Sequence, residues 1–90
     1  MARAHVFISG RVQGVYFRAH ASVKATSLAL TGWVRNIEDS RVEAVFEGDE
    51  DAIKDMIQWC HTGPSGARVD DVEATFEEPT GEFTSFSVKY

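Results

Sequence analysis

One cysteine in 90 residues, Cys60, rules out an intramolecular disulfide. The chain has no CxxC pair, and His5, His20 and His61 are not spaced at i and i+4, so no structural metal is expected. There is no charged-then-apolar leader and no apolar run of about 20 residues, so neither a signal peptide nor a membrane span is expected; a reducing cytoplasm is the expected location. Acidic residues are missing altogether before position 38. Met1 to Ile37 carries five basic residues (Arg3, Arg11, Arg18, Lys24, Arg35), whereas from Glu38 onward four basic residues face all fourteen acids. The halves therefore carry +5 and −10, and the whole chain −5. A long polyanion such as nucleic acid would be repelled, while a small anion could settle in the positive half unless folding mixes the two sets of charges.

What is present is a joint suited to an anion. Gly10-Arg11-Val12-Gln13-Gly14-Val15-Tyr16-Phe17-Arg18 links a strand-like segment to a helix-like one. Backbone N–H groups at a helix start carry partial positive charge, glycine admits a ligand close to the main chain, and arginine adds a planar cationic fork. A phosphoryl group is the expected guest. A second cluster, Gly32-Trp33-Val34-Arg35-Asn36, places a carboxamide at a strand end.

The periodicities predict seven elements. Ala4, Val6 and Ile8 alternate with His5, Phe7 and Ser9, a strand with one face in the core. From Phe17, small and apolar residues at Ala21, Ala25 and Leu28 mark a helix. Val34, then Val42, Ala44 and Phe46, flank the polar run Ile37-Glu38-Asp39-Ser40 as a hairpin. Asp49, Glu50 and Asp51 precede a stripe of Ile53, Met56, Ile57 and Cys60, a second helix that stops at Gly63-Pro64. Val72, Ala74 and Phe76 predict a further strand, and Phe86, Val88 and Tyr90 the last. The order β-α-β-β-α-β-β predicts one α+β domain over residues 1–90, a ferredoxin-like sandwich with two helices packed on one face of a mainly antiparallel sheet.

These residues resemble a known family. Gly10 to Arg18 fits the acylphosphatase signature G-x-V-Q-G-V-x-[FY]-R at every fixed position. Gly32 to Asn36 is similar to the start of that family's second signature, with Val42 and Gly48 at its later fixed positions. The resemblance covers essentially the whole chain. It departs at Ser40, where the family pattern has glycine; a left-handed serine there would cost about 1–2 kcal/mol.

The resemblance implies hydrolysis of the carboxyl–phosphate bond of small acyl phosphates, with no cofactor and no metal. The leaving carboxylate is a weak base, so the reaction calls for positioning and charge stabilisation rather than a general acid. Backbone N–H groups of Gly14, Val15, Tyr16, Phe17 and Arg18 are expected to cradle the phosphoryl oxygens. Arg18 is also expected to grip two of them through its guanidinium, and Asn36 to orient the attacking water. Gln13 either fixes the loop or helps bind. Trp33, Trp59 and the phenylalanines are expected to pack, Cys60 to lie in the core and His20 on the surface. The expected partners are a small-molecule acyl phosphate and inorganic phosphate or a similar anion, with no nucleic acid and no membrane, on a monomer. The alternative is a non-catalytic anion-binding or regulatory module on the same fold. An RNA-binding sheet ranks last, because Arg41-Val42-Glu43-Ala44-Val45-Phe46-Glu47 is acidic.

Overall fold

The computed structural model describes residues 1–90 and contains all seven predicted elements. They are β1 (Ala2–Arg11), α1 (Phe17–Ser27), β2 (Thr31–Asn36), β3 (Val42–Gly48), α2 (Glu50–Thr62), β4 (Arg68–Glu77) and β5 (Phe86–Lys89). The strands form one sheet in the order β4-β1-β3-β2-β5, antiparallel except for the β2–β5 pair. Both helices cover the same face, α1 over β2 and β5 and α2 over β1 and β4. This is the ferredoxin-like arrangement expected from the element order.

Period-two patterning places the core. Ala4, Val6 and Ile8 pair with Phe46, Ala44 and Val42, and all six are buried. From the helices come Phe17, Ala21 and Ala25, then Ile53, Met56 and Cys60, each set at helical spacing on a single stripe. Small residues on the α1 stripe let that helix approach the sheet closely. Asp49 caps α2 by accepting the Ala52 N–H at 3.4 Å. Burial pushes the Cys60 thiol up to about 12, which leaves it a packing residue and a poor nucleophile.

Two details differ from the periodicity. The last strand ends at Lys89, and Tyr90 is fully exposed rather than paired. β4 is an edge strand, so Phe76, on the helix-covered side by its register with Ala4, is still 50% exposed.

The other sheet face carries an ionic layer. Glu47 is only 1% exposed there, yet fully partnered. It accepts the N–H groups of Thr80 (2.9 Å) and Gly81 (3.0 Å), the Thr80 hydroxyl (3.1 Å) and Arg3 Nη1 (2.8 Å). The connection between β4 and β5 is thereby strapped across the sheet. Burial alone would raise the Glu47 carboxyl, but these donors outweigh it and draw it down to about 2. Glu43 sits in the same layer, accepting Arg35 Nε at 2.6 Å and lying 2.6 Å from His5 Nε2. Its carboxyl is likewise held below the usual range, the contacts to His5 and Arg35 exceeding the cost of burial. Trp33 packs here and not in the helix-covered core, with Arg35 and Lys89 against its ring. Folding therefore does mix the two halves of the charge pattern, since Arg3 and Arg35 are neutralised by acids from the second half.

Candidate active site

At the end of the sheet where β1 hands over to α1, five residues bridge the two elements. Gly10 still belongs to β1, at a register shift against β4, where an added Cβ would lie 2.2 Å from the Arg68 carbonyl oxygen. Its glycine is required by strand–strand approach rather than by a ligand. Gly14 is different: it has φ +74°, and a Cβ would meet nothing within 4 Å, so the main chain there is bare. Tyr16 follows as the N-cap of α1 with φ 62° and ψ 24°, left-handed despite its bulk, and makes no side-chain cap. The N–H groups of Phe17, Arg18 and Ala19 thus have no intrahelical partner and no capping acceptor, the first helical bond running from His20 N–H to Tyr16 O at 3.1 Å. They are donors free to meet an acceptor from outside the helix.

Arg18, on the first turn of α1, is partly exposed. Its Nη1 donates to the Lys89 carbonyl oxygen at 3.2 Å, and its guanidinium lies 4.8 Å from the centroid of the Tyr90 ring. No carboxylate pairs with it, in contrast to Arg3, Arg35, Arg41 and Arg68. A carbonyl and an aromatic face orient the cation without neutralising it. The parallel β2–β5 pairing makes this possible. Val34 opposite Val88 and Arg35 opposite Lys89 bring the last residues alongside the end of β2 that carries Asn36.

Asn36 interrupts an otherwise apolar face. Gly32 and Val34 precede it on the helix-covered side of β2, and period two brings the carboxamide to the same side at the rim. Its Oδ1 is buried with no hydrogen-bond partner. An unpartnered buried acceptor costs about 1–3 kcal/mol, and this one stands beside the uncapped start of α1 with hydrogen-bonding capacity to spare.

Gln13 has a defined task. Its Nε2 donates to the carbonyl oxygens of Ile37 (2.8 Å) and Arg41 (2.9 Å), tying the cradle loop to the β2–β3 turn. The turn closes through Ile37 N–H to Arg41 O at 3.0 Å, with Ser40 at φ 72°. Ser40 therefore takes a left-handed conformation, and the turn closes around it.

A cavity of about 400 Å³ lies over these groups. Gly14, Arg18 and Asn36 give it a polar side, and Val12, Phe17 and Val88 an apolar one. Tyr16 and Tyr90 line it as well. Phe17 is buried and packs on Trp59 with ring centroids 5.3 Å apart, so it belongs to the floor of the cavity. Val15 packs inward, against the cavity's supporting layer, and is not a lining residue. Gln13 is not one either, and His20 is exposed. Val88 and Tyr90 went unnoticed as site residues because only the parallel β2–β5 register brings them there. The element order was the available signal.

Comparison with known proteins agrees with this geometry. The family model described as Acylphosphatase matches residues 4–88. An acylphosphatase of Roseiflexus sp. (strain RS-1) is 60% identical over 88 residues, spanning 98% of this chain and 95% of that one. The crystal structure of acylphosphatase from Bacillus subtilis superposes with a TM-score of 0.96 at 33% identity, covering both chains completely. An acylphosphatase structure from Coxiella burnetii gives 0.93 at 38% identity, over 98% of this chain and 92% of the other.

Proposed function

The chain belongs to the acylphosphatase family and hydrolyses acyl phosphates, and from that premise we propose that residues 14–18 hold the phosphoryl group while Asn36 orients the attacking water. The observation that carries this reading is the meeting of three unspent polar groups in one cavity. These are the uncapped N–H groups of the α1 start, the carboxylate-free Arg18 guanidinium and the unpartnered Asn36 Oδ1.

The division of labour follows from their chemistry. Arg18 and the backbone donors complement charge on the equatorial phosphoryl oxygens, which grows as the bond to the carboxylate loosens. Asn36 cannot take a proton, since its amide does not titrate, but its oxygen accepts a hydrogen bond from water and fixes the line of attack. The water oxygen forms the new P–O bond while the bond to the acyl oxygen breaks, and the carboxylate leaves with that electron pair. The proton released passes to a phosphoryl oxygen, yielding a carboxylate and dihydrogen phosphate. No side-chain base lines the cavity to take it otherwise.

Hydrolysis of benzoyl phosphate in excess chelator tests the assignments. Arg18→Ala is expected to lower kcat/KM by about 10²–10³. Asn36→Ala is expected to lower kcat by about 10² while inhibition by inorganic phosphate persists. Full activity in either variant would sink that residue's role, and a basic limb of the pH–rate profile that vanishes in His20→Ala would sink proton transfer to the substrate.

A further inference from the structure

The sheet has two edges with main-chain groups that no neighbour pairs, and they are unequal. β5 has four residues, whereas β4 has ten. From Asp71 to Glu77 the pairing of β4 with β1 is regular, the register shift lying nearer its start. Along that stretch alternate residues turn both N–H and C=O away from the sheet. Short length, lysine or proline usually guards such an edge. β4 contains neither lysine nor proline, since Pro64 and Pro79 lie outside it.

Two rows of side chains flank this backbone. Val72, Ala74 and Phe76 stand on the helix-covered side, in register with Ile8, Val6 and Ala4, and Phe76 is left half exposed. Asp71, Glu73, Thr75 and Glu77 stand on the other side. Arg3 takes up Glu77 at 3.0 Å, whereas neither Asp71 nor Glu73 forms an ion pair.

These acids decide what can pair with the edge. A second copy of β4 laid antiparallel and centred on Val72 would set Asp71 opposite Glu73. Centred on Glu73, it would set that residue opposite itself; on Ala74, Asp71 opposite Glu77; on Thr75, Glu73 opposite Glu77. Each register puts like charges directly across the strands, which is destabilising. A strand carrying cations at those places reverses the sign, and its apolar row covers Phe76.

We propose that the β4 edge from Asp71 to Glu77 docks an extended basic segment of another protein, one that alternates lysine or arginine with apolar residues. The segment adds a sixth strand, with its basic row opposite Asp71 and Glu73 and its apolar row beside Val72 and Phe76. β4 lies at the far edge of the sheet from β2 and β5, so docking leaves the cavity over Arg18 and Asn36 open.

The test is amide hydrogen exchange and NMR titration of the full chain at low salt with an end-blocked heptapeptide of alternating lysine and valine. Alternate amides between Asp71 and Glu77 are expected to exchange about tenfold more slowly once the peptide reaches ten times its dissociation constant, with residues 14–18 unchanged. A peptide of alternating lysine and proline keeps the charges but cannot form a paired strand, and one with glutamate for lysine reverses them; neither is expected to protect β4. The double variant Asp71→Lys/Glu73→Lys is expected to bind the lysine–valine peptide about tenfold more weakly. Its wild-type hydrolysis of benzoyl phosphate shows the fold intact. No protection of β4 at millimolar lysine–valine peptide, equal protection by the lysine–proline peptide, or unchanged affinity in the double variant would overturn the docking edge and leave the hydrolase reading untouched.

Discussion

Replacing Glu47 with glutamine removes the charge that straps the β4–β5 connection to the sheet, and the cost follows from the site's geometry. Its carboxyl titrates at about 2 in the fold against an ordinary 4.5. The difference converts to about 3 kcal/mol of stability. The depressed value fixes the sign: this stability is complete above the unfolded-state pKa and is lost as pH falls through the folded-state pKa. Chemical denaturation of wild type and Glu47→Gln at a series of pH values reads it directly. At pH 7 the variant is expected to be less stable by about 3 kcal/mol. By pH 2.5 most of that gap closes, because the carboxyl of the unfolded wild-type chain is by then protonated while the folded one is only beginning to be. Glu43 titrates in the same sense but is present in both proteins, so it cancels from the difference. A gap that stays constant from pH 7 to pH 2.5 would refute the linkage, and with it the view that charge, not shape, holds the strap.

Ser40→Gly relieves a left-handed serine at the cost of added freedom in the unfolded chain, leaving a net gain of about 0.5–1 kcal/mol. A thermal melt is expected to shift upward by a few degrees, and an unchanged or lower Tm would show that the turn carries no strain. Gln13→Ala cuts both ties between the cradle loop and the turn beside Asn36. Because a small displacement of a positioned group costs heavily in rate, kcat is expected to drop about tenfold to hundredfold while the inhibition constant for phosphate barely moves. An equal loss in kcat and in phosphate binding would make Gln13 part of the cradle instead.

Local pattern carried the core and the cradle. Alternation at Ala4, Val6 and Ile8 and the stripe Ile53, Met56, Cys60 were legible because each depends on its own element meeting one apolar layer. Arg18 and Asn36 were legible because their motifs are compact. The β5 side of the cavity was not, since Val88 and Tyr90 lie more than 50 residues from Asn36 along the chain and reach it through a parallel pairing that no local signal specifies. Glu47 was equally hidden. An acid in an alternating strand reads as a solvated position, and its burial depends on donors from Thr80 and Gly81 that local periodicity cannot place. Gly10 carried the right signature for a different physical reason, its contact with β4.

The parallel seating of β5 against β2 also sets a clock. Synthesis runs from the amino end, so the residues of the cradle and Asn36 are made well before Lys89, whose carbonyl steadies Arg18. At ordinary translation speeds that interval is roughly 3–10 s. Throughout it the growing chain holds residues 14–18 and Asn36 but lacks the strand that aims the Arg18 guanidinium. The Lys89 contact that aims Arg18 is therefore available only once β5 has been made and docks against β2.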